Sequence, residues 1–237
     1  MRECFLNVTL PVFNEASCLR ESVSRVVRML DTIEESFEVV IVDNGSTDET
    51  PQLAKRLAEE DPRIRMIRLE KAGRGAAIKR SWLLTRAQIV SYMDIDLSTD
   101  LACFPALIAP LRRQEAPLVV GSRLHKDADV SRCWHRDSIS RIYVKLVQHV
   151  LGDRLSDFQC GFKAADRRTI GAILPLVQND SWFFDTELVF VAKRLGFRVS
   201  EVPVRWNEDR DSRVRILPTI LEDLLGICRL RWDSMGK

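Results

Sequence analysis

Two carboxylates follow an apolar run and are separated by a single residue: Asp94 and Asp96 come directly after segment 89–93. Side chains at positions i and i+2 of an extended segment point to the same side, so both carboxylates can reach one cation. Oxygen ligands with no His or Cys nearby suit a hard ion such as Mg²⁺ or Mn²⁺, which typically binds substrate phosphates as well. The pair therefore predicts a site that handles a diphosphate.

The chain contains its own comparison, because the same spacing recurs at Asp127/Asp129 and at Asp209/Asp211. Those two pairs lie in polar segments and are expected in solvated loops. The Asp94 pair instead stands where the carboxyl edge of a buried parallel strand is expected, which is the ligand edge of open α/β sheets. The alternative is that these strand-end aspartates only cap the turn that follows.

Composition limits the classes of function. The 237 residues are 46% hydrophobic, enough for one large α/β domain or two small ones, and the net charge of +2 gives no reason to expect a nucleic-acid partner. The six cysteines lack a Cys-x-x-Cys spacing, which favours free thiols in a reducing compartment. We find neither a signal-peptide core nor an apolar run of about 18 residues, so a cytoplasmic location is expected.

Strand-like and helix-like segments alternate over the first 120 residues or so, with strands at 6–12, 37–42, 64–69, 89–93 and 118–121 and helices at 16–30, 47–59 and 75–86. This alternation predicts an α/β fold with a mostly parallel sheet and helices on both faces. Further elements are predicted as helices at 138–151 and 186–195 and a strand at 197–204.

Two acids follow the first two strands, and both are expected beside the Asp94 pair: Glu15 and Asp43. An acid after the second strand is typical of ribose binding in dinucleotide folds, but the first turn lacks Gly-x-Gly-x-x-Gly. Dinucleotide binding is therefore excluded, while nucleotide binding stays open. For Asp43 the alternative is an Asx turn that opens the next helix.

Two basic clusters could hold anions. The first is the loop with Lys71, Gly73 and Arg74, where backbone amides at a helix start would add to two cationic side chains. In the second, Arg136 and Ser140 share a helix face and could join Arg123 around another phosphate, although a solvated basic face is the alternative.

The segments 11–15, 42–50, 71–77, 94–98 and 121–123 together resemble family 2 glycosyltransferases of the GT-A fold, in particular the synthases of dolichyl-phosphate mannose and dolichyl-phosphate glucose. The resemblance continues through 156–163, 182–187 and 202–204 and covers roughly residues 6–215. Many members carry an acid where this chain has Asn44, which puts nucleotide recognition at that position in doubt.

The resemblance implies a role for each matching residue. The base and ribose of a nucleoside-diphosphate sugar would be held by Pro11, Glu15 and Asp43, and its phosphates would lie near Lys71, Gly73 and Arg74. Mg²⁺ or Mn²⁺ on the diphosphate would be bound by Asp94 and Asp96, and the phosphate of a polyprenyl acceptor by Arg123, Arg136 and Ser140.

The implied reaction displaces a nucleoside diphosphate, and the metal and the basic loop would stabilise the charge on it. A lipid phosphate has a second pKa of about 6 and attacks without a general base. We therefore expect single displacement with inversion. The segment 228–232 has Cys228 in place of the Gln of the Gln-x-x-Arg-Trp motif found in processive polysaccharide synthases, which favours one hexose per acceptor. The segment 157–163 is similar to the glucose-transferring branch, which favours UDP-glucose over GDP-mannose.

Two alternatives remain open for the function. A soluble hydroxyl acceptor would need a base, for which Asp157 is the candidate, and a catalytically silent module would bind nucleotide sugar without transfer. The division expected is a catalytic domain at 1–215 and an amphipathic helix at 216–237. That helix could lie on the cytoplasmic face of a membrane, as a peripheral contact, or pack on the domain. The sequence predicts no oligomeric state.

Overall fold

A computed structural model describes residues 4–70, 72–131, 134–152, 154–207 and 216–235. Side chains are described for these ranges except at 134–139, 151, 216–220 and 233–235. Lys71 lies outside the described residues, and Arg136 is described only by its place in a helix.

Seven strands form the main sheet in the spatial order β3-β2-β1-β4-β7-β5-β8. In chain order they are β1 (Leu6–Val12), β2 (Phe37–Asp43), β3 (Ile64–Arg68), β4 (Ile89–Met93), β5 (Leu118–Ser122), β7 (Phe162–Asp166) and β8 (Val199–Pro203). All neighbouring pairs are parallel except those made by β7, which runs antiparallel to β4 and to β5. A separate parallel pair joins β6 (Asp129–Ser131) to β9 (Arg205–Asn207).

Eight α-helices connect and cover the strands within the described ranges: α1 (Leu19–Leu30), α2 (Thr50–Glu60), α3 (Arg74–Leu84), α4 (Phe104–Arg112), α5 (Trp134–Leu151), α6 (Arg167–Ile173), α7 (Phe184–Arg194) and α8 (Ile216–Met235). The predicted α/β class with a mostly parallel sheet is confirmed, and β1 and β4 have the predicted bounds. No helix in the described part of the chain is long and apolar enough to span a membrane.

The sheet is buried on both faces because its central strands carry few polar side chains. Every residue of β4 is buried, and so is every residue of β5. One face packs against α1 and α4 through a cluster that includes Val8, Leu10 and Phe104. The other face packs against α3, α6 and α7 around Trp82 and Phe184. Because helices cover both faces, the strands are held in place, and so is the edge of the sheet at which the loops after the strands meet.

Strand β7 was not predicted, and it changes how the chain reaches that edge. Its sequence, Phe-Lys-Ala-Ala-Asp, places Lys163 in the middle of a strand that is otherwise apolar until its last residue, which hides the strand pattern. Met93 at the end of β4 pairs with Phe162 at the start of β7. Because β7 runs backwards, the loop before it reaches the same edge as the carboxyl ends of β1, β2 and β4.

Helix α8 has two different faces in its described part. Asp223, Gly226, Ile227 and Leu230 are buried against the domain, at a spacing of three and four residues. Leu221, Leu224, Leu225, Cys228 and Trp232 are exposed. One face of the helix therefore packs on the domain. The exposed apolar residues form a separate stripe that points away from the domain.

Candidate active site

Asp94 and Asp96 occupy the turn that follows β4. The Asp94 side chain is 43% exposed and Asp96 is exposed. Between Asp96 and Ser98, Leu97 has a φ of 52°, in the left-handed region that few non-glycine residues adopt. The Ser98 amide donates to Asp96 Oδ1 at 3.0 Å, so the turn itself orients this carboxylate. Backbone strain of this kind concentrates at functional sites.

The loop before β7 lies beside Asp94. The Asp94 amide donates to the carbonyl oxygen of Gly161 at 3.2 Å, which continues the β4–β7 pairing by one residue beyond the strands. Asp94 is therefore held between its own strand and the loop 156–161, which the sequence did not identify as a neighbour.

Arg74 pairs with Asp94 rather than facing outward. Its Nε and Nη2 donate to Asp94 Oδ1 at 3.1 and 2.7 Å, and its Nη1 donates to Asp185 Oδ2 at 2.5 Å. The side chain is only 8% exposed and its guanidinium lies over the rings of Tyr92 and Trp182, both 5.2 Å from the ring centroids. This differs from the expectation of a phosphate-facing arginine, because a buried guanidinium is stabilised by carboxylates on both sides.

Asp185 is the centre of a buried polar network at the start of α7. Lys163 Nζ donates to its Oδ1 at 2.6 Å, and the Tyr92 hydroxyl donates to the same oxygen. Burial raises the pKa of Asp185 to about 6, although the Arg74 charge acts in the opposite direction. Burial lowers the pKa of Lys163 to about 7. Sequence reasoning assigned no role to either residue, because they lie in apolar segments far apart in the chain.

The start of α3 approaches another backbone segment closely. The Ala76 amide donates to the Asp180 carbonyl at 3.0 Å, and a Cβ added at Gly73 would lie 2.6 Å from that oxygen. At Gly75 an added Cβ would lie 2.7 Å from the Cβ of Phe184. These glycines therefore permit close packing of α3 on segment 180–184. Lys71, expected in the same loop, lies outside the described residues.

Asn44, the departure from the family pattern, links two of these loops. Its Oδ1 accepts a hydrogen bond of 2.7 Å from the Gly73 amide, and its side chain is buried. The residue therefore ties the end of β2 to the start of α3. A neutral amide serves this bond while adding no negative charge near Asp43.

Asp43 is fully buried at the end of β2. Its Oδ1 accepts from the Ser46 amide at 3.0 Å, three residues on rather than the two of the Asx turn considered as the alternative, and Arg68 Nε lies 3.4 Å from Oδ2. Oδ2 nevertheless has no hydrogen-bond partner among the described residues. A buried acceptor without a donor is costly, so this oxygen is suited to receive one from a ligand.

Pro11 and Glu15 belong to the end of β1, next to β2. Pro11 pairs with Val42, and the Glu15 amide donates to Thr50 Oγ1 at 2.8 Å. Both residues are half-buried. The structure thus brings Pro11, Glu15 and Asp43 to one edge, where the Asn14 amide donates to Ser46 Oγ and Asn14 Oδ1 accepts from the Thr47 amide.

Arg123 and Asp157 form a second ion pair, after β5. Arg123 Nε donates to Asp157 Oδ2 at 2.7 Å, Nη2 donates to Oδ1 at 3.0 Å, and the Arg123 amide adds a third bond. Burial would raise the pKa of Asp157, but the charge and hydrogen bonds of Arg123 outweigh it and lower that pKa. Ser140 is half-buried in α5; the Arg136 side chain lies outside the described residues.

Trp206 lies between Asp94 and Asp96, in the turn after β4, and this second pair. Its side chain lines a small pocket together with Met93, Asp94, Asp96, Leu97, Ser98 and Thr99. The Arg123 guanidinium lies 5.9 Å from the Trp206 ring centroid. The indole therefore contacts the Asp94/Asp96 pocket on one side and the Arg123–Asp157 pair on another. Sequence reasoning did not identify it, since Trp206 lies in the three-residue strand β9.

The Asp94/Asp96 pocket fits a hard divalent cation that is shared with a ligand. Both side chains offer carboxylate oxygens and are at least partly exposed. The described residues contain no group of three or more His, Cys, Asp or Glu side chains that could enclose a metal alone. Mg²⁺ and Mn²⁺ are commonly bound by one or two carboxylates, with phosphates and water completing the coordination.

Comparison with curated proteins gives relatives along most of the chain. Glycosyltransferase AglD of Haloferax volcanii is 37% identical over 96% of this chain, which spans only 37% of AglD. Dolichyl-phosphate β-glucosyltransferases of Dictyostelium discoideum and Saccharomyces cerevisiae are 28% and 27% identical. They align with 96% and 90% of this chain, which spans 74% and 70% of their lengths.

Solved structures share the fold. Glucosyl-3-phosphoglycerate synthase from Mycobacterium tuberculosis, in complex with Mn²⁺, UDP-glucose and phosphoglyceric acid, superimposes with a TM-score of 0.72 at 21% identity, covering 96% of this chain and 79% of the other. The GT-A fold expected from the sequence is confirmed. The model of glycosyl transferase family 2 matches residues 8–174, and the chain belongs to that family of glycosyltransferases.

Proposed function

We propose that this chain transfers a single glucose from UDP-glucose to a polyprenyl phosphate, with inversion and with Mg²⁺ or Mn²⁺. The observation that carries the proposal is the pairing of Asp157 with Arg123 beside the Asp94/Asp96 pocket. The pair leaves Asp157 ionised and hydrogen-bonded to a cation, which makes it a weak base. Such a site suits an acceptor that arrives already ionised, as a phosphomonoester does.

The donor half is supported by the orphaned oxygen of Asp43. A ribose hydroxyl or a base N–H would supply the donor that Oδ2 lacks among the described residues. Pro11 and Glu15 form the adjacent wall, and Lys71 and Gly73 belong to the loop that would lie near the phosphates. UDP-glucose is favoured because the relatives include dolichyl-phosphate β-glucosyltransferases and a structural neighbour holds UDP-glucose.

The metal would be held by Asp94 and Asp96 and would neutralise charge on the departing diphosphate. Arg74 then acts on the reaction through Asp94, whose Oδ1 it holds by two hydrogen bonds. Asp185 holds Arg74 in turn from the other side, and Lys163 donates to the second oxygen of Asp185. These residues keep the Asp94 oxygens in place before the substrate binds, and such preorganisation contributes much of the rate in displacement reactions.

The acceptor half would be formed by Arg123, with Arg136 and Ser140 of α5. Trp206 lies between the Asp94/Asp96 pocket and Arg123, so the two anionic substrates would bind on either side of the indole. Cations on the acceptor side would offset the repulsion between a lipid phosphate and the diphosphate. The polyprenyl chain of the acceptor would extend from the site toward a membrane surface.

Membrane contact is supported by the outward stripe of α8. Leu221, Leu225 and Trp232 are 60%, 64% and 80% exposed, and they lie on one side of the helix. An amphipathic helix of this kind can lie in the interfacial plane, with the docked face held by the domain. We therefore propose 1–215 as the catalytic domain and 216–237 as its membrane-facing helix.

The test is transfer of radiolabel from UDP-glucose or GDP-mannose to a short polyprenyl phosphate, with Mg²⁺, Mn²⁺ or EDTA. Metal-dependent lipid label from UDP-glucose alone would support the proposal, and the anomeric configuration of the product would test inversion. Label in phosphoglyceric acid or another soluble hydroxyl acceptor, with none in lipid, would contradict the lipid acceptor. Nucleotide binding without any transfer would indicate a silent module.

A further inference from the structure

Helix α8 reaches the acceptor side of the site through one buried carboxyl. Asp223 Oδ2 accepts a hydrogen bond of 2.8 Å from Gln159 Nε2. The backbone N–H of Gln159 in turn donates to Asp157 Oδ1 at 3.0 Å, and Asp157 holds the Arg123 guanidinium. A continuous chain of hydrogen bonds therefore runs from the C-terminal helix to the arginine expected at the acceptor phosphate.

The rest of the helix is anchored elsewhere. Glu222 accepts from Asn179 Nδ2 at 2.9 Å and from Ser181 Oγ at 3.1 Å, and Arg229 pairs with the buried Glu187 at 2.8 Å. At Gly226 an added Cβ would lie 2.4 Å from the Phe183 ring, so the helix backbone sits directly on the domain. Docking of α8 therefore has polar and apolar support that does not involve Asp223.

Asp223 is an unfavourable choice for stability alone. The residue is 4% exposed, and its Oδ1 is buried with no hydrogen-bond partner among the described residues. Burying a carboxyl with one unsatisfied oxygen costs free energy that an apolar side chain would not. Charges on the elements around it oppose ionisation as well: Glu222 on α8 and Asp185 on α7. Such local conflicts are expected where a residue serves function.

We infer that Asp223 is a positioning residue, which fixes the loop 156–161 through Gln159 and thereby sets the Asp157–Arg123 pair for the acceptor phosphate. The inference rests on the proposed function for its consequence in catalysis, but its structural part does not. It makes the membrane-facing helix a part of the acceptor site, although no residue of α8 touches Arg123 in the contacts described.

The structural part is tested by amide hydrogen exchange at Arg123 and Gln159, whose N–H groups both donate to Asp157. In Asp223→Leu, which removes the bond from Gln159 to α8 and keeps an apolar filling, both amides should exchange about tenfold faster. Asp223→Asn retains an acceptor for Gln159 and should restore the wild-type rates. The matched control is Glu222→Ala on the same helix, which should leave both amides unchanged. Unchanged rates in Asp223→Leu, or an equal rise throughout the chain, would overturn the inference.

The catalytic part is tested by steady-state kinetics on the same variants. Asp223→Leu should raise the KM for polyprenyl phosphate about tenfold and leave the affinity for nucleotide sugar unchanged. Gln159→Met should raise this KM at least as much, and the double variant should be no worse than Gln159→Met, because both single variants remove the Gln159–Asp223 bond. Equal losses for donor and acceptor would contradict a role at the acceptor. If the wild type transfers no sugar to lipid phosphate, the proposed function fails, while the exchange rates still decide the inference.

Discussion

Gly161 lies so close to Asp94 that a Cβ at position 161 would fall 1.8 Å from Asp94 Oδ2 and 2.8 Å from Arg74 Nη2. No side chain fits there without moving the carboxylate that we assign to the metal. A displacement of about 1 Å at a reacting site can cost about 100-fold in rate.

Gly161→Ala is therefore expected to lower kcat/KM for transfer by about 100-fold. The matched control is Gly171→Ala in α6, where an added Cβ has no neighbour within 4 Å. Steady-state transfer assays on both variants, with thermal unfolding as a check on folding, make the measurement. Near-normal activity of Gly161→Ala would show that the Asp94 position is not critical.

Replacement of Asp96 by Asn should abolish metal-dependent transfer, because a neutral amide oxygen binds Mg²⁺ and Mn²⁺ more weakly than a carboxylate does. We expect a loss of at least about 100-fold in kcat/KM and weaker Mn²⁺ binding in the presence of UDP, measured by calorimetry. Asp127→Asn provides the control, since that aspartate has the same spacing and is also exposed but does not line the Asp94/Asp96 pocket. Equal effects at both sites would refute the assignment.

Arg74→Met should destabilise the fold strongly, by about 3 kcal/mol in the free energy of unfolding, because it leaves two carboxylates without their shared cation. Arg74→Lys should recover only part of this, since an ammonium cannot reproduce three directed N–H bonds. Urea unfolding gives the measurement. Arg20→Met removes an exposed pair with Glu60 and should have a far smaller effect on the free energy of unfolding.

Asp223 predicts a pH dependence of stability with a defined sign. Burial raises its pKa to about 7, with Glu222 and Asp185 adding to the rise and Gln159 opposing it. The native state therefore holds this proton over a range where the unfolded chain has lost it. Stability from this group is complete below about pH 4 and is lost as the pH rises to about 7. The difference between the wild type and Asp223→Asn isolates this effect, on the order of 4 kcal/mol.

The exposed stripe of α8 should govern binding to lipid vesicles. Leu221→Ser combined with Leu225→Ser should lower the fraction that sediments with anionic vesicles at least tenfold, because about 3 kcal/mol of apolar transfer is removed. Leu83→Ser is the control, since Leu83 is similarly exposed, at 65%, on helix α3. Equal sedimentation of all variants would exclude α8 as the contact.

The strands and helices that could be predicted from the sequence are those encoded by local patterns. Strand β4 is buried throughout and β1 at every position except Pro11, which an apolar run indicates directly, and α3 was predicted to within two residues at its C-terminal end. Helix α4 was not predicted, since Pro105 and Pro110 interrupt its helical pattern. The orientation of β7 depends on partners far along the chain, which local periodicity does not contain.

The residues of the candidate site likewise fall into two groups: those that local patterns indicate and those that depend on distant partners. Asp43, Asp94 and Asp96 follow apolar runs and could be located from that alone. Asp185 and Lys163 could not, because their charges are balanced by residues as much as 111 positions away in the chain. The same long-range pairing turns Arg74 inward, a direction that its position in a basic loop did not indicate.

The reversed direction of β7 also has a consequence for how such a chain can diversify. Strand β5 leaves the sheet at Ser122 and β7 re-enters it at Phe162, and the two strands are paired side by side, with Val120 opposite Lys163. Residues 123–161 therefore leave the sheet and return to it at adjacent positions. This one segment contains Arg123, α5 and Asp157. We expect a chimera that exchanges this one contiguous segment but keeps Gly161 to alter acceptor preference and to leave Asp94 in place.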